Sequence, residues 1–337
     1  MERDARPGIL ATGSYLPSFV ITNEALAGPL GVGPEWIEGR TGIRERRMAA
    51  ADEATSDLAT KAARRALAAA GVRPDQLGLI MVATSTPDMP LPATACQLQA
   101  NLGADNACAM DIDAVCTGFV YALDVAHKMM RCEPTLAYAL VVGADTYSRI
   151  LDYSDRRTCV LFGDGAGAVV LGRSATAARI DYTRLGSDGR KNDYVRIPSG
   201  GSRTPSTVSA VEAGQHFFKM EGRLVREFVH ERLPAMVKDV TDSCELTVPD
   251  IDLFVLHQAN GRVLDDMSKK LGLLPEQVAV TVDRYGNTGA ASIPITLDHA
   301  IRAGQAVPGS RVLLAGFGGG MTWGTALMTW NEPRATT

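Results

Sequence analysis

Two apolar, strand-like runs recur in this chain at one long spacing. LGLIMVATS (77–85) returns as IDLFVLHQA (251–259), about 174 residues later, and AYALVVGAD (137–145) returns as SRVLLAGFG (310–318), about 173 later. Cys116 and Asn287 stand 171 residues apart, and each opens the equivalent helix. A period this long far exceeds that of solenoid repeats, so the chain reads as two fused, pseudo-symmetric halves, 1–175 and 176–337. In each half short buried strands alternate with amphipathic or Ala-rich helices, the pattern of a layered α/β fold. Helices are expected at 56–70 (stopped by Gly71), 93–103, 116–131, around 222–238, through 262–272 and over most of YGNTGAASIPITLDHAIRAG. Strands are expected at 77–85, 107–115, 137–145, after the glycine turn of FGDGAGAVVLG (162–172), at 251–260, 278–282, 311–319 and near 322–330. The Gly-, Ser- and Arg-rich stretch 187–209 reads as a long surface loop, a kind that is often functional.

Charge and composition narrow the function. A net charge of −4 leaves no broad basic surface for nucleic acid. No apolar run reaches the ~20 residues that a membrane helix needs. MERDARPGILATG has no apolar segment behind a basic start, so no secretory signal is expected either, and the protein reads as cytoplasmic. Cys96, Cys108, Cys116, Cys132, Cys159 and Cys244 form no CxxC pair and no metal-ligand spacing; they read as reduced thiols, mostly buried. No P-loop, HExxH or GxSxG occurs, and no G-x-G-x-x-G opens a helix at FGDGAGAVV.

The residues with chemistry each admit two readings. Cys116, in DAVCTGF, follows a strand and opens a helix, where the dipole and unpaired N–H groups favour thiolate. An inert core cysteine fits the same context. His257 alone among five histidines closes an apolar strand, the end at which α/β sites gather; a buried histidine capping the strand fits as well. His127, His216, His230 and His299 stand in polar helical or loop contexts and read as surface residues. Asn287, in YGNTGAAS, is either an N-cap or a neutral donor facing developing negative charge. GFGGG (316–320) is either a flexible turn or a backbone N–H donor that completes an oxyanion hole with the Cys116 N–H.

Taken in order, DAVCTGF, HQANGRV, YGNTGAASIP and the terminal GFGGGMTWG resemble the motifs of the β-ketoacyl-[acyl carrier protein] synthase III family, as do EWIEGRTGIRERR (35–47) and FGDGAGAVVLG. The resemblance runs from about residue 8 to residue 330. It implies a five-layer αβαβα thiolase fold, a homodimer, and an acyltransferase that needs neither metal nor organic cofactor. Cys116 would accept an acyl group from acyl-CoA. His257 and Asn287 would hydrogen-bond the thioester oxygen of malonyl-acyl carrier protein as CO2 leaves, and the N–H groups of Cys116 and Gly319 would hold the oxyanion of the Claisen step. Trp36, Arg40 and Arg156 match the family's CoA contacts, with Arg157 a neighbour that blurs the third, and Asn260 matches a position near the pantetheine channel. Leu91 matches a residue that reaches the partner's acyl pocket. Arg262, Lys269 and Lys270 offer a basic face for an acidic carrier protein, or an ordinary solvated helix face.

Three departures point to a specialised relative in fatty-acid or polyketide initiation. Arg226 and Glu227 stand where the family commonly has Phe and Lys, and Gly261 replaces a bulkier residue after HQAN. The rival activity is a non-decarboxylating acyltransferase moving the acyl group from Cys116 to an alcohol or amine. That chemistry needs a base but no paired enolate donor, so Asn287 favours condensation.

Overall fold

The computed structural model describes residues 6–331. The strands of its main sheet are β1 (Pro7–Tyr15), β2 (Leu77–Ala83), β3 (Cys108–Ile112), β4 (Tyr138–Asp145), β5 (Gly165–Arg173), β6 (Ala178–Ser187), β7 (Leu253–Leu256), β8 (Arg311–Gly318) and β9 (Thr322–Thr329). The helices that matter here are α1 (Pro34–Thr41), α2 (Thr55–Ala70), α3 (Thr94–Leu102), α4 (Gly118–Cys132), α5 (Gly222–Cys244), α6 (Gly261–Leu271) and α7 (Ser292–Arg302). Strand order is β7-β8-β9-β6-β1-β5-β4-β2-β3. Its two wings meet at β1 and β6 through only two residue pairs, Gly8 with Arg179 and Ile9 with Ala178.

Side-chain alternation sorts these strands into layers. On β2, Leu79, Met81 and Ala83 join one apolar cluster with α4 and α7, while Leu77, Ile80 and Val82 join another with α2 and α3. On β7, Leu253 and Val255 face the α4/α7 cluster, while Phe254 and Leu256 pack with α5 and α6. Both wings are therefore buried on both faces, which is why their strands read as unbroken apolar runs. The result is five layers, helix–sheet–helix–sheet–helix, with α4 and α7 in the middle. Each central helix is tied to a strand by a buried carboxylate. Asp124 on α4 accepts from Thr183 on β6 (2.5 Å), and Asp298 on α7 accepts from Thr12 and Ser14 on β1 (2.6 Å each).

Several local expectations need correction. The segment 278–282 is not a strand but a single bridge, Val278 to Phe254. There the Gln258 side chain replaces the ladder: its Oε1 accepts from Thr281 N and Val282 N, and its Nε2 donates to Ala279 O. The same residue helps end β7 at Leu256, short of the expected 260. Helix α4 begins at Gly118, so Cys116 lies in a 3-10 turn ahead of it, not at its first position. Strands β1 and β6 were not anticipated. His127 is buried rather than on the surface. Only Cys116 and Cys159 are buried; Cys108 and Cys132 are exposed, and all six thiols are free. The 187–209 stretch is not wholly irregular, since Val195–Arg196 pairs with Lys219–Met220.

Candidate active site

A cavity of about 450 Å³ has Cys116, His257 and Asn287 on its wall together with Tyr147, Phe162 and Phe218. Its lining is largely apolar, so polar groups on the wall work in a poorly solvated space.

Cys116 is the middle residue of the turn Val115–Thr117. Val115 holds φ +49°, a costly conformation for a β-branched residue, of the kind that gathers at functional sites. The turn is tied down from both sides: Val115 N donates to Asp113 Oδ1 (3.0 Å), and Thr322 Oγ1 donates to Ala114 O (3.0 Å). Gly319 opens a second short turn, Gly319–Met321, on the same cavity wall. The first N–H groups of a helical turn have no partner within it. The Cys116 and Gly319 amides are both of this class.

His257 follows β7 and extends its pairing, His257 N donating to Ala315 O at 2.9 Å. Its Nδ1 hydrogen-bonds Ser292 Oγ at 2.5 Å, and the Phe317 ring packs edge-on at 5.1 Å. The ring nitrogen left for the cavity is Nε2. Asn287 is fixed by its backbone to the Leu161–Gly163 segment, Asn287 N donating to Leu161 O (2.8 Å) and Gly163 N to Asn287 O (3.0 Å). Its Oδ1 accepts from Gly289 N at 2.9 Å, which leaves Nδ2 as the free end. The capping and donor readings of Asn287 are thus compatible: the oxygen caps, and the nitrogen remains to donate.

The turn after Asn287 rests on Asp145, at the end of β4. Ala290 N donates to Asp145 Oδ2 (2.7 Å), while Ser85 N, Thr84 Oγ1 and Thr86 Oγ1 donate to Oδ1. Gly289 has φ +58°, and a Cβ there would stand 2.2 Å from Asp145 Oδ2, so this turn requires glycine. Burial raises Asp145 to about 7. Burial, with Asp145 adding to it, pushes the Cys116 thiol up to about 12, and burial alone brings His257 down to about 3. The resting pair is a neutral thiol and a neutral imidazole. The expected lowering of the thiol is overturned, because desolvation outweighs the helix start that lies two residues further on.

At the rim, Trp36 on α1 lies under two guanidinium groups, Arg40 at 5.8 Å and Arg156 at 5.4 Å from its ring centre. Arg157 instead pairs with Asp155 at 2.9 Å. Asn260 lines the cavity while its Oδ1 caps α6 through Arg262 N (2.8 Å) and Val263 N. Arg226 lies at the cavity wall, held by Asp266 at 2.7 Å; Glu227 lies outside the lining and faces Arg223 at 3.6 Å. Of the two departures, only Arg226 thus reaches the cavity wall. A Cβ on Gly261 would stand 3.0 Å from Thr41 O and 3.3 Å from Gly42 Cα, so its absence lets the start of α6 close on the end of α1.

The three cations read as a docking face are engaged locally. Arg262 donates to Gly39 O and Glu38 O, Lys269 pairs with Asp265, and Lys270 donates to His230 O. Asp265 and Asp266 interrupt any continuous basic surface. Leu91 is 80% exposed and stands outside its own chain's cavity. Asp145, Tyr147, Phe218 and Ser292 were missed. Of these only Asp145, a carboxyl closing an apolar strand, carried a sequence signal. Among the described residues there is no cluster of three or more His, Cys, Asp or Glu able to hold a metal ion, and no helix is long and apolar enough to cross a membrane.

Comparison with known proteins agrees with this architecture. The family model for 3-oxoacyl-[acyl-carrier-protein] synthase III matches residues 110–189, and the model for its C-terminal part matches residues 241–330. Acetoacetyl CoA synthase NphT7 of Streptomyces sp. strain CL190 is 50% identical, covering 97% of this chain and 99% of that one. The β-ketoacyl-[acyl-carrier-protein] synthase III of Caldanaerobacter subterraneus subsp. tengcongensis is 46% identical over 96% of this chain and 98% of its own. Among solved structures, the 3-oxoacyl-[acyl-carrier-protein] synthase III of Aquifex aeolicus VF5 superposes with a TM-score of 0.87 at 38% identity, covering 96% and 100% of the two chains. The priming β-ketosynthase of the R1128 polyketide pathway gives 0.89 at 32% identity, covering 98% and 97%. With this coverage and its layered thiolase fold, the chain belongs to the 3-oxoacyl-[acyl-carrier-protein] synthase III family and is a condensing enzyme of that kind.

Proposed function

We propose that this enzyme is an acyltransferase catalysing decarboxylative Claisen condensation, with Cys116 as acyl acceptor and His257 and Asn287 as enolate donors. Acyl-CoA enters past Trp36, Arg40 and Arg156, its pantetheine arm running by Asn260. The Cys116 sulfur attacks the thioester carbonyl, CoA leaves as the thiol carrying the cysteine proton, and acyl-Cys116 remains. A malonyl thioester then binds. Its C–C bond to the carboxylate breaks, CO2 departs, and the electron pair forms an enolate whose oxygen takes hydrogen bonds from His257 Nε2 and Asn287 Nδ2. The enolate carbon attacks the acyl carbonyl, the Cys116 and Gly319 N–H groups hold the oxyanion, and collapse breaks the C–S bond, releasing a 3-oxoacyl thioester and the Cys116 thiolate, which takes up one proton from solvent to restore the thiol. Preorganised neutral donors in a poorly solvated cavity suit both charge-developing steps. No step calls for a metal or organic cofactor.

The observation that carries this reading is Asn287, whose Oδ1 is occupied by Gly289 N while its Nδ2 stays free. A non-decarboxylating acyl transfer has no use for that donor. The test is intact-mass spectrometry with a panel of acyl-CoAs, followed by CO2 release from malonyl thioesters. The aromatic wall of Tyr147, Phe162 and Phe218, with the Tyr147 hydroxyl 4.0 Å from the Cys116 sulfur, favours a short primer.

A second reading concerns the acceptor: malonyl-CoA in place of malonyl-acyl carrier protein. It is favoured by the local pairing of Arg262, Lys269 and Lys270, by the acidic Glu227, and by the 50% identity to an acetoacetyl CoA synthase. Parallel assays with the two malonyl donors separate the readings. We also read the protein as a cytoplasmic homodimer of chains with halves 1–175 and 176–337. Strand β3 has a neighbour on one side only, an edge suited to pairing with a second copy, and Leu91 is free to reach that copy's acyl pocket.

A further inference from the structure

We propose that Ser292 is a positioning residue which, by donating its hydroxyl proton to His257 Nδ1, fixes the imidazole as the tautomer with hydrogen on Nε2. This rests on the condensation reading above, in which His257 must donate. A neutral imidazole has one donor nitrogen and one acceptor nitrogen, and the partner of one decides the role of the other. The partner of Nδ1 is Ser292 Oγ at 2.5 Å, and both residues are buried. Among the described residues this hydroxyl has no other hydrogen-bond partner. A carboxylate or carbonyl at that place would only accept, forcing the proton onto Nδ1 and leaving Nε2 as an acceptor pointed at the enolate oxygen. A hydroxyl can donate instead, and the imidazole then stays neutral while presenting N–H to the cavity.

The geometry around both groups holds the pair in place. Ser292 opens α7, five residues after Asn287, so one rigid turn carries the free Asn287 nitrogen and the group that orients the second donor. That turn is in turn held by Asp145 through Ala290 N. His257 is locked from the other sides by its own backbone bond to Ala315 and by the edge-on Phe317 ring, so the hydroxyl sets the protonation pattern rather than the ring position alone. The two enolate donors are thereby preorganised by one short segment.

The test reads the ring nitrogens directly. In the 15N NMR spectrum of the full-length enzyme, with His257 assigned from the His257→Ala spectrum, the expected result is hydrogen on Nε2 and none on Nδ1. Hydrogen on Nδ1 would overturn the proposal. The second arm separates the half-reactions. Partners that orient a histidine through its second ring nitrogen at metal sites contribute about 10- to 100-fold, and by the same logic Ser292→Ala is expected to lose about 10-fold or more of CO2 release while acylating Cys116 at close to the wild-type rate. Ser292→Thr, which keeps the hydroxyl, is expected to recover most of the loss. Equal CO2 release in Ser292→Ala and wild type, or no recovery by Thr in a folded protein, would refute it. If Ser292→Ala does not fold, the wild-type ring measurement decides alone. A wild type that loads acyl groups but releases no CO2 from any malonyl thioester defeats the condensation reading instead, and the ring measurement still decides the role of Ser292.

Discussion

Asn287 does two jobs with two atoms, and substitutions can separate them. Asn287→Ala removes the Nδ2 donor and also the Oδ1 that accepts from Gly289 N. Loss of one fixed donor at a developing oxyanion costs about 2.7–4 kcal/mol, or about 10²–10³ in rate. Leaving the buried Gly289 N–H without its partner costs about 1–3 kcal/mol of stability in addition. Asn287→Asp keeps an oxygen for Gly289 N but turns an acceptor toward the cavity. It should therefore lose CO2 release by at least as much, with the turn still capped. The assays are CO2 release from the malonyl thioester, intact mass of acyl-Cys116, and urea unfolding. Both variants should accumulate acyl-enzyme, and Asn287→Ala should be the less stable of the two. An Asn287→Asp enzyme, assayed well above neutral pH so that the new carboxyl is ionised, that releases CO2 at the wild-type rate would refute the donor role. Equal stability of both variants would refute the capping role.

Other outcomes follow from the same geometry. Cys116→Ala should fold and fail to form any acyl adduct, checked by peptide mapping; a stable adduct in the wild type on Cys108 or Cys132, the exposed thiols, with Cys116 free would contradict it. Asp145→Asn sets an amide against Ala290 N–H and should cost about 1–3 kcal/mol, while removing a negative charge that holds the thiol up; alkylation of Cys116 should then begin at lower pH than in wild type, where the thiol stands at about 12. Because Asp145 is raised from 3.8 to about 7, its protonated form contributes stability below pH 3.8 that is lost as pH rises to about 7, and denaturation of the Asn variant should lack that slope. Glu227→Lys breaks only the solvent-facing pair with Arg223 and should leave primer loading unchanged, whereas Arg226→Phe removes a cation from the cavity wall and should raise the KM for acyl-CoA.

The apolar runs at 77–85, 137–145, 251–259 and 310–318 were enough by themselves to make this a layered α/β chain, because strands covered on both faces cannot tolerate polar alternation. DAVCTGF, HQAN, YGNTGAAS and GFGGG likewise announced the family, since each packs several special backbone requirements into a few residues. The sequence could not say where the segment at 278–282 would break, because that is decided by the Gln258 side chain some twenty residues away. It could not show that Val115 is held at φ +49° or that Cys116 precedes its helix, since both depend on Asp113 and Thr322 gripping the turn. The protonation of the site was decided by burial, which only the folded packing creates: a helix start suggested thiolate, and desolvation beside Asp145 made it a thiol. The pairing of Ser292 with His257, 35 residues apart in the chain, exists only because α7 is driven against the end of β7 by the core between the sheets.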